Sequence, residues 1–312
     1  MGAYIFKRML ITIPMLIAVS FITFLLVSFS PIEPAEIVLQ AQEVPVITEE
    51  LLHQTNEELG FNKPFLTQYL NWLKESLRFD FGDSYVKNES VMNLIQPAFS
   101  NTLKLTIASS IFIVIFSIVF GVICALHERQ VVDRTLSAIL MLLTAIPSYG
   151  LGALFIILFS VKLNLLPTSG MEDGLKSYVL PVIVLALGYI GIYFRTIRSA
   201  MLNQIQEDYV LYDRACGLSE GKITWHILRN SLQVAVSIFC MAIPLILGGT
   251  VVIENIFAWP GLGSLSLNAI LSRDYPVIQA YVLIVTATFV VFNMLADMIN
   301  VTLNPRLRSG DK

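Results

Sequence analysis

The sequence predicts an all-α membrane protein. It should have six transmembrane helices, a structured external segment after the first helix, and a long cytoplasmic loop between the fourth and fifth. Three observations predict this. The 312 residues are 55% hydrophobic and only 14% charged, where a soluble domain carries about a quarter charged residues. Six long uncharged runs divide the chain. None of them shows the period-two alternation of a barrel strand, so satisfying the backbone in lipid requires helices.

The runs are Met9–Phe29, Leu105–Leu126, Leu136–Val161, Ser177–Phe194, Asn230–Ile253 and Tyr275–Ala296. A helix needs about 20 residues to cross a hydrocarbon core of about 30 Å. Five runs exceed that length. The fourth has 18 residues, and Arg195 at its end can snorkel to the interface. Lys7 and Arg8 precede the first run as they would a signal peptide. Its 21 apolar residues exceed the ~7–15 of a signal-peptide core, which favours an uncleaved helix.

Lys and Arg set the orientation. With the N-terminus inside, twelve of them lie on the cytoplasmic side, from Lys7 and Arg8 to Arg306, Arg308 and Lys312. The two short external loops hold three, Lys162, Lys176 and Arg273. Both termini are therefore expected in the cytoplasm.

The external segment from Ser30 to about Lys104 mixes Pro31, Pro34 and Pro45 with acidic residues. Phe65, Tyr69, Leu70, Trp72 and Leu73 then approximate one apolar helical face, read as a packed cap on the bilayer surface. The cytoplasmic loop 196–229 reads as helix, break, helix. Gly217 suits a left-handed position after a helix and Ser219 an N-cap, although Lys222 stands where a capping box would place Glu or Gln. Connections between bundle helices usually take about 2–8 residues, so a loop this long asks for a function.

Composition also excludes. Net charge is −3, with no basic excess to suggest nucleic acid. Cys124 and Cys240 lie in apolar runs and Cys216 in the cytoplasmic loop, so no disulfide framework is expected. His53, His127 and His226 are far apart in sequence. The six runs contain no Asp, Glu, Lys, Arg or His. That argues against an ion-coupled secondary transporter and against an intramembrane hydrolase, which need ionisable groups there. A channel is not excluded by charge alone. No GxxxxGK(S/T) phosphate loop is present.

From Asp208 onward the loop reads D-Y-V-L-Y-D-R-A-C-G-L-S, followed by His226-Ile-Leu-Arg-Asn230. It resembles the cytoplasmic coupling loop of bacterial ATP-binding-cassette (ABC) importer permeases, in the dipeptide, oligopeptide and nickel branch. Asp208, Tyr209, Val210, Ala215, Gly217, Leu218, Ser219, His226, Leu228, Arg229 and Asn230 carry the match, while Tyr212 and Asp213 depart from the small residues usual there. Further similar stretches follow the same order: Leu59–Pro64, Gln68–Trp72, Phe81–Tyr85, Ile146-Pro147, Leu166–Gly170, Glu254–Gly263, Arg273–Pro276 and Asn304-Pro305-Arg306.

The resemblance implies a non-enzymatic permease subunit with two parts. Residues 1–104 form the first helix with its external segment, and 105–312 form the permease core. It implies as partners a second homologous permease, two ABC ATPases, an extracytoplasmic solute-binding lipoprotein and membrane lipid. No cofactor is expected on this chain, since ATP and Mg belong to the ATPases. Asp208, Tyr209, Val210, Asp213, Arg214, Ala215, Gly217, Leu218 and Ser219 are expected at the ATPase, with Val210, Leu211 and Ala215 giving apolar contact and Asp213 and Arg214 charge. Glu254, Phe257, Trp259, Pro260, Gly261 and Gly263 are expected at an external gate or binding-protein dock, with Phe257 and Trp259 equally readable as interfacial anchors. Pro147 reads as a helix kink and Asp297 as a locally paired carboxylate. The solute expected is nickel, cobalt or a metal chelate in a plasma-membrane importer, with dipeptides or oligopeptides as the alternative. No metal site is expected in the chain.

Overall fold

Prolines, glycines and charge clusters punctuate the apolar runs, and the computed structural model, which describes residues 2–30 and 32–303, turns the runs into helices. In chain order these are α1 (Gly2–Ser28), α2 (Pro34–Ala41), α3 (Glu49–Glu58), α4 (Phe65–Ser76), α5 (Val91–Leu126), α6 (Val131–Ala145), α7 (Ser148–Phe155, continued as a π-helix over Ile156–Lys162), α8 (Leu175–Ile205), α9 (Asp208–Ala215), α10 (Glu220–Ile256), α11 (Leu262–Ser272) and α12 (Tyr275–Leu303). Among the described residues the only extended pairing is an isolated bridge between Asp83 and Ser90. The tail motif Asn304-Pro305-Arg306 lies outside the described residues.

Five helices are long and apolar enough to cross a membrane, and α6 with α7 makes a sixth, broken span bent by 101°. The break falls at Ile146-Pro147, both in extended backbone. Proline has no N–H to donate and drives the residue before it out of the α region. The expected kink at Pro147 is thus a complete interruption.

The helices outrun the sequence-derived spans. The fourth, expected to be short, has 31 residues in α8, about 46 Å at 1.5 Å per residue. A helix once formed gains a hydrogen bond per added residue, so it does not stop at the first charge. This corrects the expectation of spans free of ionisable groups. The candidate span Ala235–Ile256 includes Glu254, α8 includes Arg195 and Arg198, and α6 includes Asp133.

The chain divides into two compact units, Met1–Asn101 with Pro260–Val291, and Thr102–Trp259 with Phe292–Lys312. In the first, α4 packs on α1. Phe65 and Tyr69 meet Phe21 and Phe24 edge-on, and the Tyr69 hydroxyl lies 2.9 Å from Ser20 Oγ. Leu70 lies off this face and is exposed, because it follows Tyr69 by one residue, about 100° round the helix. Val91, Ile95 and Ala98 of α5 pack with Leu262, Ala269 and Val277. Asp274 accepts from the Ser84 hydroxyl and from Tyr85 N–H at 3.1 Å. Burial, and then the Asp274 charge, push the Tyr85 hydroxyl pKa up.

In the second unit α8 is central. Its residues Leu180, Val184, Leu185, Ile190 and Phe194 are buried with residues of α6, α7 and α10. A second cluster gathers Ile197, Met201, Val210, Ile223 and Ile227 where α8, α9 and α10 meet.

Candidate functional site

The loop between α8 and α10 is built by hydrogen-bonded chain reversal. α9 ends at Ala215, Gly217 has φ +74°, and α10 begins after Ser219. Gly217 N–H bonds to Arg214 O at 3.0 Å and Leu218 N–H to Asp213 O at 3.1 Å. These two bonds are the Schellman pattern, which needs a left-handed residue at the position of Gly217. A Cβ on Gly217 would meet nothing within 4 Å. The constraint there is backbone conformation, not space. Ser219 occupies the N-cap position of α10, but its side chain makes no capping bond.

The two faces of α9 differ from expectation. Val210 is fully buried against its own chain, beside Ile197, Ile223 and Ile227. Asp213 is buried and hydrogen-bonded to His226 Nδ1 at 2.8 Å. Neither side chain is presented to a partner; both fasten α9 to α10. Tyr209 is partly buried, and its hydroxyl donates to Gln204 Oε1 at 3.1 Å. Leu218 is partly buried, while Asp208, Leu211, Tyr212, Arg214, Ala215 and Ser219 are exposed. Arg214 reaches Glu220 only at 3.4 Å, with both side chains at least half exposed. Tyr212 (70% exposed) and Trp225 (60%) are large aromatics left uncovered. Tyr212 departs from the small residues of the resembled motif, and Trp225 lies between its matched stretches.

The residues before α11 also differ from expectation. Phe257 and Trp259 are 2% and 0% exposed. They are core residues of the second unit, neither interfacial anchors nor a docking surface. Trp259 meets the Tyr178 ring edge-on at 4.7 Å, and Phe257 O accepts from Gly170 N–H at 2.8 Å. Glu254 is fully buried and accepts from Thr102 Oγ1 at 2.6 Å. In the first unit Pro260 is exposed and its carbonyl accepts from Asn101 Nδ2 at 3.0 Å. Gly261 and Gly263 are buried at the start of α11. The structure therefore brings the expected coupling residues together on one loop, but it spreads the expected external residues between two units.

A further polar cluster was not visible in sequence. Asp133 of α6 and Arg198 of α8 form a bidentate pair at 2.8 and 2.7 Å. Their separation of 65 positions fits no local period. Among the described residues no group of three or more His, Cys, Asp or Glu could hold a metal ion.

Comparisons with known proteins agree on one family. Residues 117–309 match the model of the binding-protein-dependent transport system inner membrane component, and residues 1–106 match the model of its N-terminal part. The metal-staphylopine import system permease protein CntB of Staphylococcus aureus (strain NCTC 8325 / PS 47) is 56% identical over 99% of both chains. The oligopeptide transport system permease protein AppB of Bacillus subtilis (strain 168) is 35% identical, over 98% of this chain and 99% of that one. The glutathione transport system permease protein GsiC of Escherichia coli (strain K12) is 34% identical over 98% of each. Among solved structures, a chain of the MetNI methionine ABC transporter in inward-facing conformations shares the fold. Its TM-score is 0.58 at 19% identity, over 68% of this chain and 97% of that one. With both family models matched along nearly its whole length, the chain belongs to the binding-protein-dependent transport system inner membrane components, the permease family of ABC importers.

Proposed function

We propose that this chain is one of two permease subunits of an ABC importer that carries metal bound to an organic chelator across the plasma membrane. One observation carries the solute: identity is 56% to the metal-staphylopine permease against 35% and 34% to the oligopeptide and glutathione permeases. Cells lacking this chain and complemented with it test the reading. Radioactive nickel supplied with staphylopine should enter only in complemented cells, and bare nickel should not. If labelled peptides and not the metal complex depend on the chain, the peptide reading replaces this one.

Residues 1–104 act as a first transmembrane helix with its external segment and 105–312 as the permease core, and both termini lie in the cytoplasm, as the Lys and Arg distribution favours. A second permease, two ATPases and a solute-binding lipoprotein complete the importer, and ATP and Mg are held by the ATPases. The loop 196–229 seats on an ATPase through the exposed side of α9, with Leu211, Tyr212, Arg214 and Ala215 in contact. Tyr209, Val210, Asp213, Gly217 and Leu218 hold that side in place. Movement of the ATPases then rocks the spans between inward and outward access.

Gly217→Val is expected to strain the loop by about 1–3 kcal/mol, since a β-branched residue there must hold a left-handed φ. Solute-stimulated ATP hydrolysis should fall while membrane insertion is kept, because insertion depends on apolar runs and basic flanks. Arg214→Glu should weaken ATPase copurification more at low salt than at high salt, since an exposed charge is screened within about 8 Å at physiological ionic strength. Wild-type behaviour of both variants would reduce the loop to a connector.

A further inference from the structure

Arg195 and Arg198 sit three residues apart on α8 in opposite environments. Arg198 turns into its unit and is neutralised by the bidentate Asp133 carboxylate. Arg195 is on the uncovered face. Its Nε donates to Gly191 O at 3.0 Å, and among the described residues no carboxylate lies within ion-pair distance of it. Thr196, Ser199, Asn203 and Gln204 continue the same face toward the loop. With Ser231 of α10 they and Arg195 line a groove of about 570 Å³. Recognition sites for small molecules run from about 300 to 1,000 Å³.

The groove begins near the end of the apolar part of α8, a helix long and apolar enough to cross a membrane. The opposite face of the same turns, Ile190, Phe194, Ile197 and Met201, is buried in apolar clusters. Arg195 stands 20 positions after Leu175, roughly 30 Å along the axis, close to the thickness of a hydrocarbon core. Arg195 thus marks the edge of the core, and the hydroxyls and amides of Thr196, Ser199, Asn203 and Gln204 continue the polar lining beyond it. The groove is also lopsided in charge: neutral donors and acceptors surround one cation, and it contains no anion. A guanidinium offers paired donors in a planar fork that matches a carboxylate.

We infer that this groove is a water-filled solute site on the translocation path, in which Arg195 receives a carboxylate of the passing solute. The inference rests on the importer reading above and adds the solute's chemistry: it is anionic, and it bears at least one carboxylate toward α8. A chelated metal and a peptide C-terminus share that group, and a bare divalent cation is repelled.

Two measurements on the complete importer in liposomes test it. In a background with Cys124, Cys216 and Cys240 changed to Ser, Ser199→Cys is reacted with a sulfonate-bearing and with a trimethylammonium-bearing methanethiosulfonate. Both reagents should react. The sulfonate-to-ammonium rate ratio should fall about fivefold when Arg195→Gln is added, since a nearby fixed cation attracts one reagent and repels the other. A cysteine that reacts with neither reagent, with or without ATP, would show a dry protein contact and overturn the site. An unchanged ratio would overturn the role of Arg195. The second measurement is uptake of nickel–staphylopine and of a labelled dipeptide. Arg195→Gln should cut uptake of whichever solute the wild type carries by about tenfold, with partial recovery in Arg195→Lys. Equal uptake by wild type and Arg195→Gln defeats this inference alone. If the wild type carries neither solute, the solute assignment of the proposed function fails instead, and the labelling ratio still decides whether the groove selects anions.

Discussion

Replacing Asp133 with Ala is expected to destabilise the chain by about 3 kcal/mol, in the range for removing one partner of a buried ion pair. The Asp133 side chain is 6% exposed and that of Arg198 is 26% exposed. The carboxylate also accepts from Arg129 N–H at 3.0 Å at the start of α6, where the helix end favours negative charge. Its loss strands the Arg198 guanidinium between α6 and α8 and leaves that N–H without its acceptor. Removing both charges should cost much less, because no unpaired charge is left. Asp133→Leu combined with Arg198→Met is therefore expected to recover most of the loss. Thermal unfolding of the purified importer, for Asp133→Leu, Arg198→Met and the double variant, checks this as a double-mutant cycle. If Asp133→Ala unfolds with the wild type, the pair does not hold α6 to α8.

Gly191→Ala should be comparably damaging although it adds a single methyl group. A Cβ at Gly191 would lie 2.0 Å from Thr144 Oγ1 and 2.8 Å from the Leu140 carbonyl oxygen. Thr144 can rotate, but its hydroxyl is bonded to Leu140 O at 2.8 Å, and the carbonyl itself moves only with α6. Small residues at such crossings are what let membrane helices approach. Forcing them apart is expected to cost about 3 kcal/mol, at the upper end for overpacking. Gly188 lies one turn earlier on the same helix and has nothing within 4 Å of a Cβ, so Gly188→Ala is expected to be nearly neutral. The thermal midpoint and the fraction eluting as intact complex distinguish the two. Adding Thr144→Ala to Gly191→Ala should recover part of the loss, since it removes the closest atom but not the carbonyl. Equal behaviour of the Gly188 and Gly191 variants would mean that the crossing is slack.

The spans were legible because the transfer of apolar residues is a local property, summed along a window of sequence. Gly217 was legible for a similar reason. A glycine between a helical stretch and a following polar turn is a short-range signal, and the observed φ of +74° matches it. Pro147 was legible as a disturbance, but the 101° bend was not, since a proline shows where a ladder is broken and not how far the two halves then diverge.

Direction was far less legible than position. Eight residues of α9 make only about two turns, and both faces carry apolar and charged side chains. Val210 and Asp213 point inward because Ile197, Ile223, Ile227 and His226 wait there, and all four belong to other helices. Phe257 and Trp259 looked like surface aromatics because a Pro-Gly turn follows them. Tyr178 and Gly170, more than eighty positions earlier in the chain, turn them into core.

By itself, then, the sequence determined a membrane-spanning helical chain, the order of its spans, a disturbance at Pro147 and the glycine-ended helix of the loop 196–229. Each of these follows from composition or chain geometry within a few turns. Only the tertiary structure decided that Arg198 is neutralised and Arg195 is not, that Glu254 is buried within a span, and which side of α9 remains exposed. The physical reason is that helix formation is paid for within the helix, whereas the cost of a charge or an aromatic ring depends on atoms that distant segments bring alongside it.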